Sequence, residues 1–129
     1  MKIVVDANVF VSAAIAKGAP HDLVMRWLRG ADFEIVLCPI LIEEIETVLV
    51  TRDSLRRYIP QVEAEEFVMM IATFKLLLPD PSTLTATTRD PRDDYLIHLA
   101  KGNGADMIVS GDRDLLDWEE QIPPVVTRR

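Results

Sequence analysis

Short continuous apolar runs alternate along this sequence with longer segments in which apolar residues recur at helical spacing. Short apolar runs of this kind are typical of strands that are buried on both faces, as strands are in a parallel sheet covered by helices. The predicted strands are Ile3–Val5, Ile35–Leu37, Leu76–Leu78, Met107–Val109 and Val125–Thr127. The alternation therefore predicts an α/β domain in which helices cover both faces of a central parallel sheet of about four to five strands.

The segments between these runs predict the helices. They are Asn8–Lys17, His21–Arg29, Pro39 to about Val50, Val62–Phe74, Asp93–Lys101 and Leu115–Trp118. Gly18-Ala19-Pro20 is predicted to separate the first two helices, and the stretch from Pro79 to Arg92 is predicted to be a loop, because Gly and Pro interrupt helices. A chain of 129 residues is enough for one buried core, so residues 1–129 are predicted to form a single domain.

Composition and charge restrict the class of protein. Hydrophobic residues make up 49% of the chain and charged residues 27%, which is typical of a soluble globular protein. The apolar runs are too short to span a bilayer, the first residues do not form a secretory signal, and the single Cys38 cannot form an internal disulfide. We therefore expect a cytoplasmic protein. The net charge of −7 disfavours binding to nucleic acid or to an anionic membrane through overall charge alone.

Four acidic residues are predicted to lie at one edge of the sheet. Asp6 directly follows the first predicted strand, and Asp112 lies just past the fourth. Glu44 and Asp93 lie in the first turns of helices that follow strands. Because ligands of open α/β sheets bind beyond the carboxyl ends of the strands, this edge is the expected place for a functional site.

Helix geometry distinguishes Glu44 and Asp93 from their acidic neighbours. At about 100° per residue, Glu44 falls within the apolar arc of its helix, whereas Glu43 and Glu46 fall outside it. Asp93 falls within the apolar arc of the later helix, whereas Asp94 falls outside. A carboxylate among core-facing residues costs free energy unless something binds it, so both acids are predicted to have a ligand.

A divalent cation would balance such a cluster of carboxylates. Clustered anions repel one another, and the predicted elements place no Lys or Arg among them. Oxygen ligands favour Mg²⁺ or Mn²⁺, and the chain lacks the His and Cys residues of a zinc site. A cation of this kind lowers the pKa of water and stabilises charge on phosphate oxygens, so the pattern favours hydrolysis of phosphodiester bonds.

Four segments, in this order, resemble the PIN-domain family. They are Ile3–Val9, Pro39–Leu49, Asp90–Asp93 and Ile108–Leu116, and their order and spacing cover nearly the whole chain. The resemblance is to VapC-like toxins of toxin–antitoxin systems, and it implies a PIN-like three-layer α/β/α fold. It also implies a Mg²⁺- or Mn²⁺-dependent endoribonuclease that acts on RNA, has a small antitoxin protein as its partner and forms a homodimer.

The resemblance also implies residue roles. The catalytic and metal-binding acids of the family fall on Asp6, Glu44, Asp93 and Asp112. Supporting residues fall on Asn8, Ser110, Asp94 and Asp114. Separately, the basic stretch that contains Arg52, Arg56 and Arg57 next to Tyr58 is a candidate contact for RNA phosphates and bases.

Simpler structural interpretations of these residues stay open at this point. Asp6, Asp93 and Asp112 are each placed to cap a helix or to favour its first turn, and Glu44 is one of several acids in a Glu-rich helix. The basic stretch also fits a solvated helix end. The functional alternative is a catalytically silent PIN-like module that binds protein or RNA.

Two other enzyme and signalling classes fit the sequence less well. A phosphate-accepting receiver domain needs a Lys after its last strand, and no Lys follows Lys101. A haloacid-dehalogenase-type phosphatase needs an Asp-x-Asp motif after the first strand, where this chain has Asp6-Ala7-Asn8. The second Asp, which acts as the acid–base in that class, is therefore missing.

Overall fold

Residues 1–30, 32–74, 78–80, 91–110 and 124–126 are described by a computed structural model of the chain. Within these ranges the strands are β1 (Lys2–Val5), β2 (Glu34–Ile35), β3 (Met107–Val109) and β4 (Val125–Val126). The helices are α1 (Ala7–Ile15), α2 (Ala19–Leu28), α3 (Pro39–Thr51), α4 (Gln61–Phe74) and α5 (Pro91–Gly102). A short 3₁₀ helix over Asp53–Leu55, which the sequence patterns did not predict, connects α3 to α4.

The four described strands form one parallel sheet in the order β2-β1-β3-β4. Ile3 of β1 is paired with Ile35 on one side, and Val5 is paired with Val109 on the other. The apolar residues of β1 are almost completely buried, with Val4 and Val5 at 0% exposure. The prediction of an α/β domain with a central parallel sheet is therefore confirmed.

The position of β1 determines where a ligand is expected to bind. The chain leaves β1 to form β2 on one side of it, whereas β3 and β4 lie on the other side. This reversal of direction is a topological switch point, and in open α/β sheets the crevice beyond the carboxyl ends of the strands at such a point binds ligands. The residues that directly follow β1 and β3 are Asp6 and Ser110.

The helices pack around this sheet in a connected core. Helix α1 contacts α2 and α3, α3 contacts α4, and α5 contacts β1 and β3. Phe10 of α1 packs edge-on against Trp27 of α2, with ring centroids 6.3 Å apart. None of the helices in the described ranges has the length and apolar character needed to cross a membrane.

The observed elements differ from the predicted ones mainly at their ends. Helix α1 begins at Ala7 rather than Asn8, and α2 begins at Ala19 rather than His21. The breaker therefore lies partly inside α2, because Pro is compatible with the first turn of a helix, where its missing N–H has no partner to lose. Gly18, directly before α2, has a φ of 150°, a conformation that favours glycine.

The second predicted strand ends earlier than expected, and most of the third lies outside the described residues. Strand β2 ends at Ile35 rather than Leu37, although the Val36 amide still donates a hydrogen bond to the Ile3 carbonyl at 2.9 Å. Most of the predicted strand Leu76–Leu78 lies outside the described residues, as does the predicted helix Leu115–Trp118. Leu78 is described, and its amide donates to the Leu37 carbonyl at 2.8 Å.

Candidate active site

Asp6 lies at the carboxyl end of β1 and is buried, with 5% of its surface exposed. Its amide donates to the Val109 carbonyl at 2.9 Å, which extends the contact between β1 and β3 by one residue. Its carboxylate is the N-cap of α1, where Oδ1 accepts a hydrogen bond from the Asn8 amide at 3.3 Å. The capping interpretation of Asp6 is therefore confirmed, and the helix dipole favours the negative charge at this position.

The second carboxylate oxygen of Asp6 is bound by Ser110, the residue that directly follows β3. The hydroxyl of Ser110, which is completely buried, donates a hydrogen bond to Oδ2 at 2.7 Å. The two residues are 104 positions apart in sequence, so the pairing of β1 with β3 brings them together. Of the predicted supporting residues, Ser110 contacts Asp6 through its side chain, whereas Asn8 does so through its backbone and has an exposed side chain.

Glu44 lies in the second turn of α3, on the side of the helix that faces the core. It is partly buried, whereas Glu43 and Glu46 are exposed, so the apolar arc distinguished these acids correctly. Asp80, from a distant segment, accepts a hydrogen bond from the Ile40 amide at 2.9 Å. This contact satisfies one of the amides left unpaired in the first turn of α3 and fixes the start of the helix that carries Glu44.

Tyr95 of α5 is a site residue that the sequence analysis missed. Its side chain is 3% exposed, and the fully buried hydroxyl makes no hydrogen bond within the part of the chain that the structure describes. Burial raises the pKa of Tyr95 far above its usual value, and the nearby carboxylates of Glu44 and Asp6 raise it further. Glu44 raises this pKa both through its charge and as a nearby acceptor, although its side chain and the Tyr95 hydroxyl do not form a hydrogen bond.

The remaining predicted acids lie outside the described residues, in whole or in part. Asp93 and Asp94 belong to the first turn of α5, but their side chains are not among those described. Asp112 and Asp114 lie wholly outside the described ranges. Among the residues that are described, no group of three or more His, Cys, Asp or Glu side chains is placed to hold a metal ion. The roles of these four acids therefore stay predictions.

A family model of the PIN domain matches residues 2–114, which include the whole chain from β1 through β3. The chain belongs to the PIN-domain family. Its α/β/α fold is the fold predicted from the sequence. PIN domains are typically nucleases, they generally use divalent metals, and PIN nucleases bind RNA. A search of curated proteins found no match to this chain.

The donors described in this PIN domain fit a hard divalent cation. Asp6 and Glu44 supply carboxylate oxygens from two separate elements, and the buried Tyr95 hydroxyl, whose pKa both carboxylates raise, has no described partner. Cys38, directly before α3, is completely buried. Its pKa is raised to about 11, mainly by this burial and to a smaller extent by the nearby Asp80. The thiol therefore keeps its proton at neutral pH and offers no soft ligand that would favour another metal.

The basic stretch of the PIN domain divides into two kinds of arginine. The guanidinium of Arg56 donates to the Leu49 carbonyl and, at 2.7 Å, to the Gln61 side chain, so it joins the end of α3 to the start of α4. A cation is favourable at the C-terminus of a helix, which gives Arg56 a structural role. Arg52 and Arg57 are exposed, and Arg57 stacks over the Tyr58 ring at 5.4 Å. Their predicted contact with RNA stays a prediction.

The raised pKa of Cys38 predicts that this PIN domain loses stability at alkaline pH. The folded thiol ionises near pH 11, whereas the unfolded thiol ionises near pH 9. The protonated thiol therefore stabilises the folded state fully below about pH 9. As the pH rises from 9 toward 11, the free energy of unfolding falls by up to about 1.4 kcal/mol per pH unit. We expect urea unfolding at pH 8 and pH 10.5 to show a smaller decrease for Cys38→Ala than for the wild type. Equal decreases would contradict this assignment.

Proposed function

We propose that this PIN domain is a metal-dependent endoribonuclease that hydrolyses RNA phosphodiester bonds and is the toxin of a toxin–antitoxin pair. The observation that carries the proposal is the buried Asp6 carboxylate at the carboxyl end of the central strand, which, like the partly buried Glu44, raises the pKa of the buried Tyr95 hydroxyl. Membership of a family whose members are typically nucleases supports it. A small antitoxin, a homodimer and a cytoplasmic location are further parts of the same proposal.

In this proposal Asp6, Glu44, Asp93 and Asp112 hold Mg²⁺ or Mn²⁺. A divalent cation in such a site supplies an activated water and stabilises the charge that develops on the phosphate oxygens. Asp6 contributes a carboxylate whose two oxygens already have fixed hydrogen-bond partners, at 3.3 Å and 2.7 Å. A carboxylate that is oriented in advance needs little reorganisation during the reaction, and burial strengthens its attraction for a cation.

The charge of the chain determines how the substrate is expected to approach. With a net charge of −7, the protein as a whole does not attract RNA. A bound divalent cation reverses the sign of the field at the acidic site. The exposed guanidiniums of Arg52 and Arg57 are the proposed contacts for phosphates outside it.

Cleavage of a labelled mixed-sequence RNA pool tests the nuclease function. We expect the purified protein to cut the pool with Mn²⁺ or Mg²⁺ and to leave it intact in EDTA. Cutting that EDTA does not affect would indicate a contaminating nuclease, and no cutting with either metal would favour the silent binding module. The toxin role is tested separately by induced expression in bacterial cells, with and without the product of the gene immediately upstream.

A further inference from the structure

The Tyr95 hydroxyl is one of two buried side-chain polar groups in the described part of the molecule that lack a hydrogen bond, the other being Nε of Arg56. It is completely buried, yet no described residue forms a hydrogen bond with it. A buried hydroxyl that leaves water without gaining a partner costs free energy. One explanation for such a hydroxyl is that its acceptor moves into position only when an ion is bound.

The groups around Tyr95 restrict which acceptor it can have. After burial, the Glu44 carboxylate is the group that raises the pKa of the Tyr95 phenol most, followed by the Asp6 carboxylate. Both oxygens of Asp6 already accept hydrogen bonds, one from the Asn8 amide and one from the Ser110 hydroxyl. Glu44 is favoured over Asp6 as the acceptor because it raises the pKa of the phenol both through its charge and as a hydrogen-bond acceptor, whereas Asp6 does so through its charge alone.

We propose that Tyr95 is a positioning residue, whose hydroxyl donates a hydrogen bond to the Glu44 carboxylate and holds it in the orientation that binds the divalent cation. This inference rests on the proposed metal site, because Tyr95 acts through Glu44 rather than on the substrate. Mutation of residues that orient metal ligands in this way typically lowers metal affinity about 10- to 100-fold.

The arrangement at Asp6 offers a direct parallel. There, a neutral hydroxyl from a neighbouring element, that of Ser110, orients a carboxylate at 2.7 Å. A neutral donor holds a carboxylate in place without cancelling its negative charge, whereas a Lys or Arg would cancel the charge that attracts a cation. Tyr95 is placed to do for Glu44 what Ser110 does for Asp6.

Titration of the protein with Mn²⁺, followed by electron paramagnetic resonance of the free ion, tests the assignment. We expect Tyr95→Phe to raise the Kd for Mn²⁺ about 10- to 100-fold. We also expect no decrease in the thermal midpoint, because the substitution removes only an unpaired buried hydroxyl. The KM for RNA should stay close to the wild-type value. A merely structural role would change the midpoint and leave the Mn²⁺ affinity unchanged.

Two further variants make the test specific. Tyr58→Phe removes the same oxygen atom from a tyrosine that is 57% exposed, so it should bind Mn²⁺ like the wild type. In a Glu44→Gln background, Tyr95→Phe should change the Mn²⁺ affinity by less than about twofold, because residues that act through one another are not additive.

The outcomes separate this inference from the proposed function. Equal Mn²⁺ affinity in the wild type and in Tyr95→Phe would overturn the role of Tyr95 and leave the metal site standing. An undiminished effect of Tyr95→Phe in the Glu44→Gln background would also overturn it. If the wild type bound no Mn²⁺, the proposed metal site would fail, and this inference would fail with it.

Discussion

Replacement of Asp6 by Asn, or of Glu44 by Gln, is expected to lower metal-dependent RNA cleavage by at least about 100-fold. A metal ion contributes several kcal/mol to stabilisation of the transition state, and each loss of about 1.4 kcal/mol is a tenfold loss in rate. Asn is as good an N-cap as Asp, so α1 should keep its first turn in Asp6→Asn. The rates of RNA cleavage at saturating Mn²⁺, with circular dichroism to confirm folding, measure the effect.

Glu43→Gln is the matched control for Glu44→Gln. It removes the same charge from the adjacent position of the same helix, but Glu43 is exposed whereas Glu44 is partly buried. We expect the activity of Glu43→Gln to stay within about twofold of the wild type, since an exposed acid on a solvated face contributes little. An equal loss in both variants, or full activity in Asp6→Asn, would contradict the proposed site.

Truncation of Trp27 to Ala is expected to lower the free energy of unfolding by about 3–5 kcal/mol, the usual cost of removing a large buried aromatic side chain. Trp27 is 2% exposed, and its ring meets that of Phe10 at an interplanar angle of 68°. The pair joins α2 to α1, the helix that Asp6 caps. The loss would therefore weaken the support of the candidate site as well as the core.

Urea unfolding at pH 7 measures this effect, with Tyr58→Ala as the control for loss of an aromatic ring at an exposed position. Tyr58 is 57% exposed, so its truncation should cost much less. Similar midpoints for Trp27→Ala and the wild type would show that Trp27 is not a packing anchor of the core.

The sheet was predictable from the sequence because its central strand is buried on both faces. Ile3–Val5 and Met107–Val109 are unbroken apolar runs, and each is followed by a polar residue that belongs to the site. The end of β2 was less predictable, because Val36 and Leu37 continue the apolar run after the strand has ended. The hydrophobicity of a residue indicates whether it is buried, whereas the end of a strand depends on hydrogen bonds to neighbouring segments.

The candidate site was predictable only where a residue departs from its local pattern. Glu44 could be recognised because it is an acid on the apolar face of its own helix. Tyr95 gave no such signal, because tyrosine is common in buried helices and its importance depends on Glu44, which lies on a different helix. The hydrogen bonds of Arg56 to Leu49 and Gln61, which arise from the turn between α3 and α4, also gave no such signal, and its predicted contact with RNA stays a prediction. Contacts between separate elements are not encoded in the periodicity of either one.

The 104-residue separation between Asp6 and Ser110 has a consequence for synthesis of the protein. A chain grows from its N-terminus, and contacts between distant positions form late. Asp6 leaves the ribosome 104 residues before Ser110, so its carboxylate gains its second hydrogen bond only after Ser110 has been made and β3 has paired with β1. In the proposed nuclease, a chain that has been made only as far as α5 therefore still lacks the hydroxyl that orients this carboxylate.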